Sequence, residues 1–284
     1  MHPYHQKHDT YFTNLELVVR DLKKMKEFYT KKLGFEVYSE EPNAIDLSID
    51  GQNPILRLVE NPLAKITKNG NSLYHFALLL PSRADLGLFL RHVIEQQIPI
   101  VGGADHGVSE AIYLQDIENN GIEVAWDTPE EQWTDEFGAI KMVTDELEYS
   151  SIYYAVNEDS KFKALPKGTI IGHIHLSVSS LEKAKAFYLD GLGFKETKTE
   201  IPSSIFASSN HYHHHLGLNS WKGPIKKADT TTGLKSLTVT YPKCEDIASA
   251  FHHLKEKGYS IQEVHQGYQT QDDDGTLIYL RLSF

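Results

Sequence analysis

Two stretches of this sequence recur at a fixed distance, and this internal repeat restricts the folds that the chain can adopt. The pattern Phe28-Tyr29 and Leu33-Gly34-Phe35 returns as Phe187-Tyr188 and Leu192-Gly193-Phe194, at a constant offset of 159 residues. His75 through Pro81 lies over Ser236 through Pro242 at an offset of 161. Two different patterns that each occur twice predict four similar units along the chain.

Each unit has the pattern of one strand, one helix and further strands. In the first unit, residues 14–19 alternate like a strand, Asp21 is suited to cap a helix from Leu22 to Lys32, and Gly34 can end that helix in a left-handed conformation. Strand patterns follow at residues 45–49 and 55–58. The predicted fold class is α+β, with four βαβββ units at residues 10–62, 72–128, 168–222 and 231–284.

An isolated unit of this kind would expose the apolar face of a small sheet. The units are therefore expected to pair into curved, mixed sheets that face each other across a cleft. Residues 129–167, between the second and third units, are rich in Glu and Asp and lack a regular apolar period. They predict a linker that packs over the surface, with short helical or turn character from Pro129 to Phe137.

Charge and apolar patterning exclude several classes of partner. The formal net charge is −11, and no cluster of Lys and Arg offsets it, so we expect no nucleic acid and no membrane partner. No apolar run approaches the ~20 residues that a membrane span needs. Cys244 is the single cysteine and cannot form a disulfide within the chain, and residues 1–9 lack the apolar core of a signal peptide. These features predict a cytoplasmic location.

Four polar residues interrupt or follow apolar segments of the second unit. His75 and Glu123 lie on two predicted strands, and His106 and Tyr113 lie between those strands. A single His or Glu on a strand is usually a structural residue. Four such residues within one small unit instead indicate a shared pocket that contains potential metal ligands.

Units of this order, with His on a first strand and Glu on a last strand, resemble the vicinal oxygen chelate superfamily over nearly the whole chain. That superfamily includes glyoxalases, bleomycin-resistance proteins and extradiol ring-cleaving dioxygenases. The run from His106 to Asp116, followed by Glu123, resembles the extradiol dioxygenase signature, although Ile117 and Asn119 stand where Pro and Gly are expected. Residues 73–81, 171–176 and 212–219 resemble the compact bacterial catechol 2,3-dioxygenases.

The resemblance implies a non-haem Fe(II) site, with Mn(II) as the other candidate ion, held by two His and one carboxylate. The four units can be compared as sources of these ligands. The first-strand positions carry Asn14, His75, His173 and Ser236, and the last-strand positions carry Glu123 in the second unit, Leu277 in the fourth and an apolar residue near Leu56 in the first. Only the second and third units together supply a complete set: His75, Glu123 and His173.

This ligand set predicts that the second unit pairs with the third and the first with the fourth. The simplest pairing along the chain would instead join the first unit to the second and the third to the fourth. The sequence leaves open whether the second and third units meet within one chain or between the chains of a homo-oligomer. His175 shares the strand face of His173 and is the rival ligand, but the repeat register favours His173 and leaves His175 as a pocket or core residue.

Four histidines cluster just before the end of the third unit, at His211, His213, His214 and His215. Consecutive residues of a strand point to opposite faces, so these side chains cannot all reach one ion, and most of them are expected to be hydrogen-bonded packing residues. The resemblance implies that His214 is a catalytic acid–base residue, with His213 as the alternative. It also implies that Tyr113 and His106 hydrogen-bond oxygen at the metal and the substrate.

Together these expectations predict a metal-dependent extradiol dioxygenase that opens a catechol-like, small aromatic substrate with O₂. One alternative is a glyoxalase-type metal-dependent isomerase or lyase, which would normally require a second carboxylate or a Gln as fourth ligand. The other alternative is a non-catalytic protein that binds a quinone or a drug in the same cleft.

Overall fold

The first unit has the predicted order of elements. In the computed structural model, which describes residues 2–6, 8–66, 72–197, 201–222 and 230–283, strand β1 spans Tyr11–Val19 and helix α1 spans Leu22–Glu27, continuing as a π-helical segment at Phe28–Lys32. Strands β2, β3 and β4 span Glu36–Glu41, Ala44–Ser48 and Pro54–Glu60. The Asp21 carboxylate caps α1 by accepting the N–H of Lys24 at 3.0 Å. Gly34 follows the helical segment with a φ of 86°.

The other three units repeat this order. The second contains β5 (Leu73–Leu79), α2 (Arg83–Glu95), β6 (Ile100–Asp105), β7 (Ser109–Gln115) and β8 (Gly121–Asp127). After β9 (Asp145–Glu146) and α3 (Tyr149–Tyr153), the third contains β10 (Ile170–Ser177), α4 (Leu181–Ala184) with a π-helical segment at Lys185–Gly191, β11 (Lys195–Glu196), β12 (Ser204–Ser208) and β13 (Leu216–Asn219). The fourth contains β14 (Gly233–Tyr241), α5 (Cys244–Glu256), β15 (Ile261–Val264), β16 (Gly267–Gln271) and β17 (Leu277–Leu282). Residues 198–200 of the predicted third unit and Phe284 of the fourth lie outside the described ranges.

The described strands form two sheets, one of which joins the second and third units and the other the first and fourth. One sheet has the strand order β11-β12-β13-β10-β5-β8-β7-β6-β9, and the other has the order β15-β16-β17-β14-β1-β4-β3-β2. β5 and β10 run antiparallel with His75 opposite His175, and β1 and β14 run antiparallel with Glu16 opposite Ser236. The predicted pairing of the second unit with the third, and of the first with the fourth, is therefore confirmed within a single chain.

Buried hydrogen bonds that follow the sequence repeat connect neighbouring units across the sheets. The Tyr29 hydroxyl donates to Asp116 at 2.8 Å, and the Tyr188 hydroxyl, at the repeat offset, donates to Asp272 at 2.7 Å. Burial raises the pKa of each aspartate to about 6, against the hydrogen bonds that lower it. One apolar core that includes residues of all four units surrounds these pairs. Each half of the chain thus contains an equivalent tyrosine–aspartate contact between its two units.

The strand register identifies the residues of the first and fourth units that are equivalent to Glu123, and these are not the predicted ones. Asp116 and Asp272 each accept the backbone N–H groups two and four residues further on, so the two turns are equivalent. The parallel pairs Phe76–Ile122, Leu237–Ile278 and Leu15–Leu56 then place Tyr279 and Arg57 at the position of Glu123. The predicted counterparts, Leu277 and an apolar residue near Leu56, are wrong because the sequence alignment shortened the repeat too far. Neither Tyr279 nor Arg57 would complete a ligand set.

The linker at residues 129–167 is more deeply packed than predicted. The expected short helical turn lies at Glu130–Gln132. Leu147, Ile152 and Leu165 belong to the main apolar core, while Trp133 packs in a second cluster. The prediction that this segment packs only over the surface is therefore wrong. These few apolar side chains are buried in the two clusters, although they follow no regular period. No helix in the described ranges has the length and apolar character to cross a bilayer.

Removing the Tyr29 hydroxyl should destabilise the protein in a pH-dependent way. Tyr29→Phe takes one donor from the buried Asp116 carboxylate, so we expect a loss of about 1–3 kcal/mol in the free energy of unfolding. The hydrogen bond favours the ionised carboxylate, so the loss should be larger at about pH 8, above the pKa of about 6, than at about pH 5. Urea unfolding at both pH values measures this difference. The control is Tyr38→Phe, at a tyrosine that is 50% exposed; equal losses in the two variants would contradict the prediction.

Candidate metal centre

Three strands bring three potential ligands together in the second and third units. His75 lies on β5, Glu123 on β8 and His173 on β10, and all three side chains are buried. The Nε2 atoms of His75 and His173 are 3.1 Å apart. Oε2 of Glu123 lies 3.0 Å from Nε2 of His75 and 3.3 Å from Nε2 of His173. Among the residues that the structure describes, these three form the group whose donor atoms converge as metal ligands do.

Close approach of β8 to β5 is what brings Glu123 to the two histidines. A Cβ atom at Gly121 would lie 2.1 Å from the carbonyl oxygen of Tyr74 and 3.1 Å from Cβ of His75. Glycine is therefore required where the two parallel strands meet. Two residues further on, strand alternation returns the side chain to the same face, and this residue is Glu123.

The pKa shifts of Glu123 and His75 match the protonation states that metal binding requires. Burial alone would raise the pKa of Glu123, but His173 and His75 outweigh that effect and hold it well below its ordinary value. Burial also lowers the pKa of His75, although Glu123 opposes this shift. Neutral imidazole and ionised carboxylate are the forms that coordinate a cation. Two nitrogen donors and one carboxylate oxygen in a buried group fit a divalent transition metal.

His106 and Tyr113 lie beside the three residues and are hydrogen-bonded to each other. Nδ1 of His106 donates to the carbonyl oxygen of Val143 in the linker, at 2.8 Å. Because Nδ1 carries the proton in the neutral ring, Nε2 accepts the Tyr113 hydroxyl, at 2.6 Å. Burial, with Glu123 nearby, raises the pKa of Tyr113, so the phenol stays protonated. The Tyr113 ring lies 5.6 Å from that of His75.

His214 lies against His173 and belongs to a buried hydrogen-bond chain. Its ring centroid is 4.2 Å from that of His173, and its Nδ1 is 2.8 Å from Nδ1 of His213. Nε2 of His213 lies 3.1 Å from the Asp127 carboxylate, which also accepts the Tyr212 hydroxyl at 2.9 Å. Asp127 can only accept a proton from Nε2 of His213. With His213 neutral, its Nδ1 therefore accepts from Nδ1 of His214, and Nε2 of His214 keeps its lone pair.

The expectation that His213 and His214 point to opposite strand faces is wrong. These residues precede β13 and have no strand conformation, so the alternation rule does not apply to them. The prediction that most of the four histidines are hydrogen-bonded packing residues agrees better with the structure. His215 is buried, accepts the N–H of Ser209 at 3.1 Å and donates to the carbonyl oxygen of Tyr4 at 2.9 Å. His211 is exposed.

His175 lines the same cavity but stays outside the group of three. Its Nε2 accepts the amide of Asn219 at 3.0 Å, and its ring packs where a Cβ on Gly217 would come within 2.8 Å. His75 lies next to it, with ring centroids 5.0 Å apart. The repeat register, which favoured His173 over His175, thus agrees with the geometry.

One cavity of about 530 Å³ is lined by His75, His106, Tyr113, Glu123, His173, His175 and His214. Sequence reasoning missed Asp127, which shares the strand face of Glu123 by alternation and could have been found from that signal. It also missed the cavity residues Met142 and Thr144 of the linker and Tyr74, Trp221 and Lys222 at the outer end. The linker residues carried no signal, because no periodic pattern marks which side of the segment faces the cavity.

Paired βαβββ units around a buried His, His and Glu group define a class of protein with a cleft built for a metal ion. The family model described as Glyoxalase/Bleomycin resistance protein/Dioxygenase superfamily matches residues 11–124 and 170–278. The matched ranges contain both halves of the repeat and all three residues of the group. The chain belongs to this superfamily.

Individual members of known families and solved structures are similar to this chain over most of its length. A catechol-2,3-dioxygenase of Bacillus subtilis (strain 168) is 39% identical over 270 residues, which are 93% of this chain and 94% of that protein. Among solved structures, glyoxalase I from Zea mays has a TM-score of 0.57 at 14% identity and covers 95% of this chain and 92% of its own. The cppA protein from Streptococcus pneumoniae TIGR4 has a TM-score of 0.58 at 14% identity, covering 96% and 98%. The two structural likenesses show the fold.

Replacing any of the three converging residues should remove metal binding. We expect His75→Ala, Glu123→Ala and His173→Ala to lose stoichiometric Fe(II), because each variant leaves only two donors. Asn14→Ala and Ser236→Ala, at the repeat-equivalent positions of the other sheet, should keep it. Anaerobic loading followed by metal analysis of desalted protein measures this. Normal iron content in His173→Ala would contradict the ligand assignment.

Proposed function

We propose that this protein is a metal-dependent extradiol dioxygenase, which opens a catechol-like ring beside one hydroxyl group with O₂. The observation that carries the proposal is the convergence of His75, Glu123 and His173 in a cavity that His106, Tyr113 and His214 also line. The 39% identity to a catechol-2,3-dioxygenase over nearly the whole chain supports it. A small aromatic diol and O₂ would be the partners of the reaction.

Fe(II), with Mn(II) as the alternative, is the ion that we assign to His75, Glu123 and His173. Three protein donors leave coordination positions open for a bidentate diol and O₂. When bound, the ion would act as a Lewis acid toward the diol oxygens and supply redox chemistry for O₂. The protein's contribution is to hold the donors in their deprotonated forms and to shield them from water.

His214 would handle the proton of the substrate hydroxyl. Burial lowers the pKa of His214 well below its ordinary value, so the ring is neutral before substrate binds. Its Nε2 lone pair can accept a proton from a catechol hydroxyl, while Nδ1–H remains hydrogen-bonded to His213. The Asp127 carboxylate, bonded to His213, then favours the positive charge that develops along this chain. His213 and Asp127 orient His214 in this proposal.

Tyr113 and His106 would orient the diol from the other side of the group. Tyr113 keeps its proton and donates it to Nε2 of His106, and its hydroxyl lies next to Glu123 and His75, so its oxygen can accept a hydrogen bond from a substrate hydroxyl. His106 is fixed by the carbonyl oxygen of Val143 and offers its Nε2 to the phenol. These two residues would set the direction of the ring in the cavity.

The two alternative functions predict different features. A glyoxalase-type isomerase or lyase would use a second carboxylate or a Gln beside the ion, and the described residues supply one carboxylate to the converging group. A non-catalytic quinone- or drug-binding protein would have no use for a buried group of two histidines and a carboxylate, which is costly to bury without a cation.

Oxygen consumption separates the three functions. We expect protein that is loaded anaerobically with Fe(II) to consume O₂ on addition of catechol and to form a yellow ring-opened product. Stabilisation by catechol without oxygen uptake would support the binding protein instead. Isomerisation of a thiohemiacetal substrate without oxygen uptake would support the glyoxalase type. Metal-free protein is the control.

Replacing His214 tests the proton-transfer role. His214→Phe should keep the metal and bind catechol, because no ligand is lost and the space stays filled. Turnover per bound metal should fall by ~10²–10⁴-fold, the usual contribution of a positioned proton-transfer group. The loss should be greatest at pH values below the first ionisation of the substrate, where the hydroxyl still carries its proton. Activity per iron across pH measures this.

His215→Phe is the matched control, because His215 is buried next to His214 but bonds Ser209 and Tyr4. That variant should lose stability and metal content together while activity per bound iron stays nearly unchanged. Unchanged activity per iron in His214→Phe would rule out the assigned role.

A further inference from the structure

The proposed reaction uses only the inner end of the cavity. The cavity has a volume of about 530 Å³, and cavities of about 300–1,000 Å³ typically hold drug-sized ligands. A bare catechol ring at His75, Glu123 and His173 would leave the outer part unfilled. The cavity therefore has room for a substituent on the ring.

Two partly exposed aromatic side chains form the outer end. Tyr74 is 39% exposed and Trp221 is 48% exposed, and their rings meet edge to face with centroids 5.4 Å apart. His175 lies between this pair and the inner end, with ring centroids 4.9 Å from Tyr74, 5.7 Å from Trp221 and 5.0 Å from His75. The Tyr74 ring also lies 5.3 Å from that of His75, so the outer aromatic pair adjoins a proposed ligand directly and through His175. A substituent of a few atoms would span that distance.

Hydrogen bonds hold the outer end in place. The indole N–H of Trp221 donates to the carbonyl oxygen of Pro202, and its backbone N–H donates to Asn219, both at 3.3 Å. The amide of Asn219 also bonds His175. The end of β13 therefore fixes both the outer wall and the imidazole next to His75, so the two ends of the cavity are built as one unit.

Lys222 places a positive charge at this outer end. Its Nζ lies 5.7 Å from the ring centroid of Tyr74, and the side chain is half-buried against the cavity. Burial lowers its pKa, and no carboxylate of the described residues forms an ion pair with it. An ammonium group that is partly withdrawn from water gains from an anion nearby. In a chain with a net charge of −11, this lysine gives the cavity mouth a local charge of the opposite sign.

We propose that the outer end of the cavity binds a carboxylate-bearing substituent of the catechol substrate. Lys222 pairs with the carboxylate, and Tyr74 and Trp221 flank the apolar atoms that link it to the ring. The inference rests on the proposed function and adds the class of substrate: a catechol with a short carboxyalkyl chain rather than bare catechol.

A matched pair of ligands tests this assignment through binding rather than turnover. The probes are a catechol with a propanoate side chain and the methyl ester of the same compound, which lacks the charge. Dissociation constants are measured by calorimetry on Fe(II)-loaded protein without O₂. The wild-type protein should bind the acid about tenfold more tightly than the ester, as expected for a charge-assisted contact. Lys222→Met, which keeps the length of the side chain, should bring this ratio to about twofold or less.

Two further variants control for general damage to the cavity. Trp221→Ala should weaken both ligands together and keep their ratio, because it removes apolar contact but no charge. Lys161→Met, at an exposed lysine outside the cavity, should match the wild-type protein. A wild-type ratio near one, or an unchanged ratio in Lys222→Met, would overturn the inference. If bare catechol still supports oxygen uptake in that case, the proposed function stands alone; if no catechol is bound or consumed, both fail.

Discussion

The antiparallel pairing of β5 with β10 is the contact on which the rest of the structure depends. It sets His75 opposite His175 and so brings His173 to within 3.1 Å of His75, although the two residues are far apart in the chain. A shift by one residue would turn every side chain of one strand to the other face. Gly121 then admits β8 beside β5 and delivers Glu123. The converging group is therefore a product of backbone register, with each donor on a strand and none on a loop.

The eight-stranded sheet shows what the same architecture becomes without ligands. At the positions equivalent to the histidines, Asn14 donates to the carbonyl oxygen of Pro54 and Ser236 bonds Glu16. Lys235 also pairs with Glu16, at 2.8 Å. Lys235 and Ser236 satisfy the partly buried Glu16 carboxylate, so that sheet needs no metal ion to neutralise it. The two sheets share one backbone architecture, and a few side chains decide which of them carries the converging ligands.

Much of this arrangement could be predicted from the sequence, because the repeat supplies register and register decides which residues face inward. The repeat placed Asn14, His75, His173 and Ser236 at equivalent positions, and the pairing of units followed from which of them can bind a metal. Prediction failed where local geometry departs from the repeat. Tyr279, and not the predicted Leu277, is the counterpart of Glu123, because Gly275 lies two residues before the position equivalent to Gly121. His213 and His214 contact each other because they lie in a loop, where strand alternation does not hold. The outer cavity residues and the packing of the linker depend on tertiary contacts that leave no periodic signal.

Each unit pairs with a unit from the other half of the chain, so a cut between the second and third units would divide both sheets. Neither residues 1–128 nor residues 168–284 contain all three converging side chains, and each of the two sheets takes strands from both halves. Co-expressed as separate polypeptides, the halves could regain the His, His and Glu group only by reassembling across the β5–β10 pairing, and the β1–β14 pairing would join them in the other sheet. Metal uptake by such fragments would then report their association, so the fold offers a split-protein sensor in which the readout is an inorganic ion.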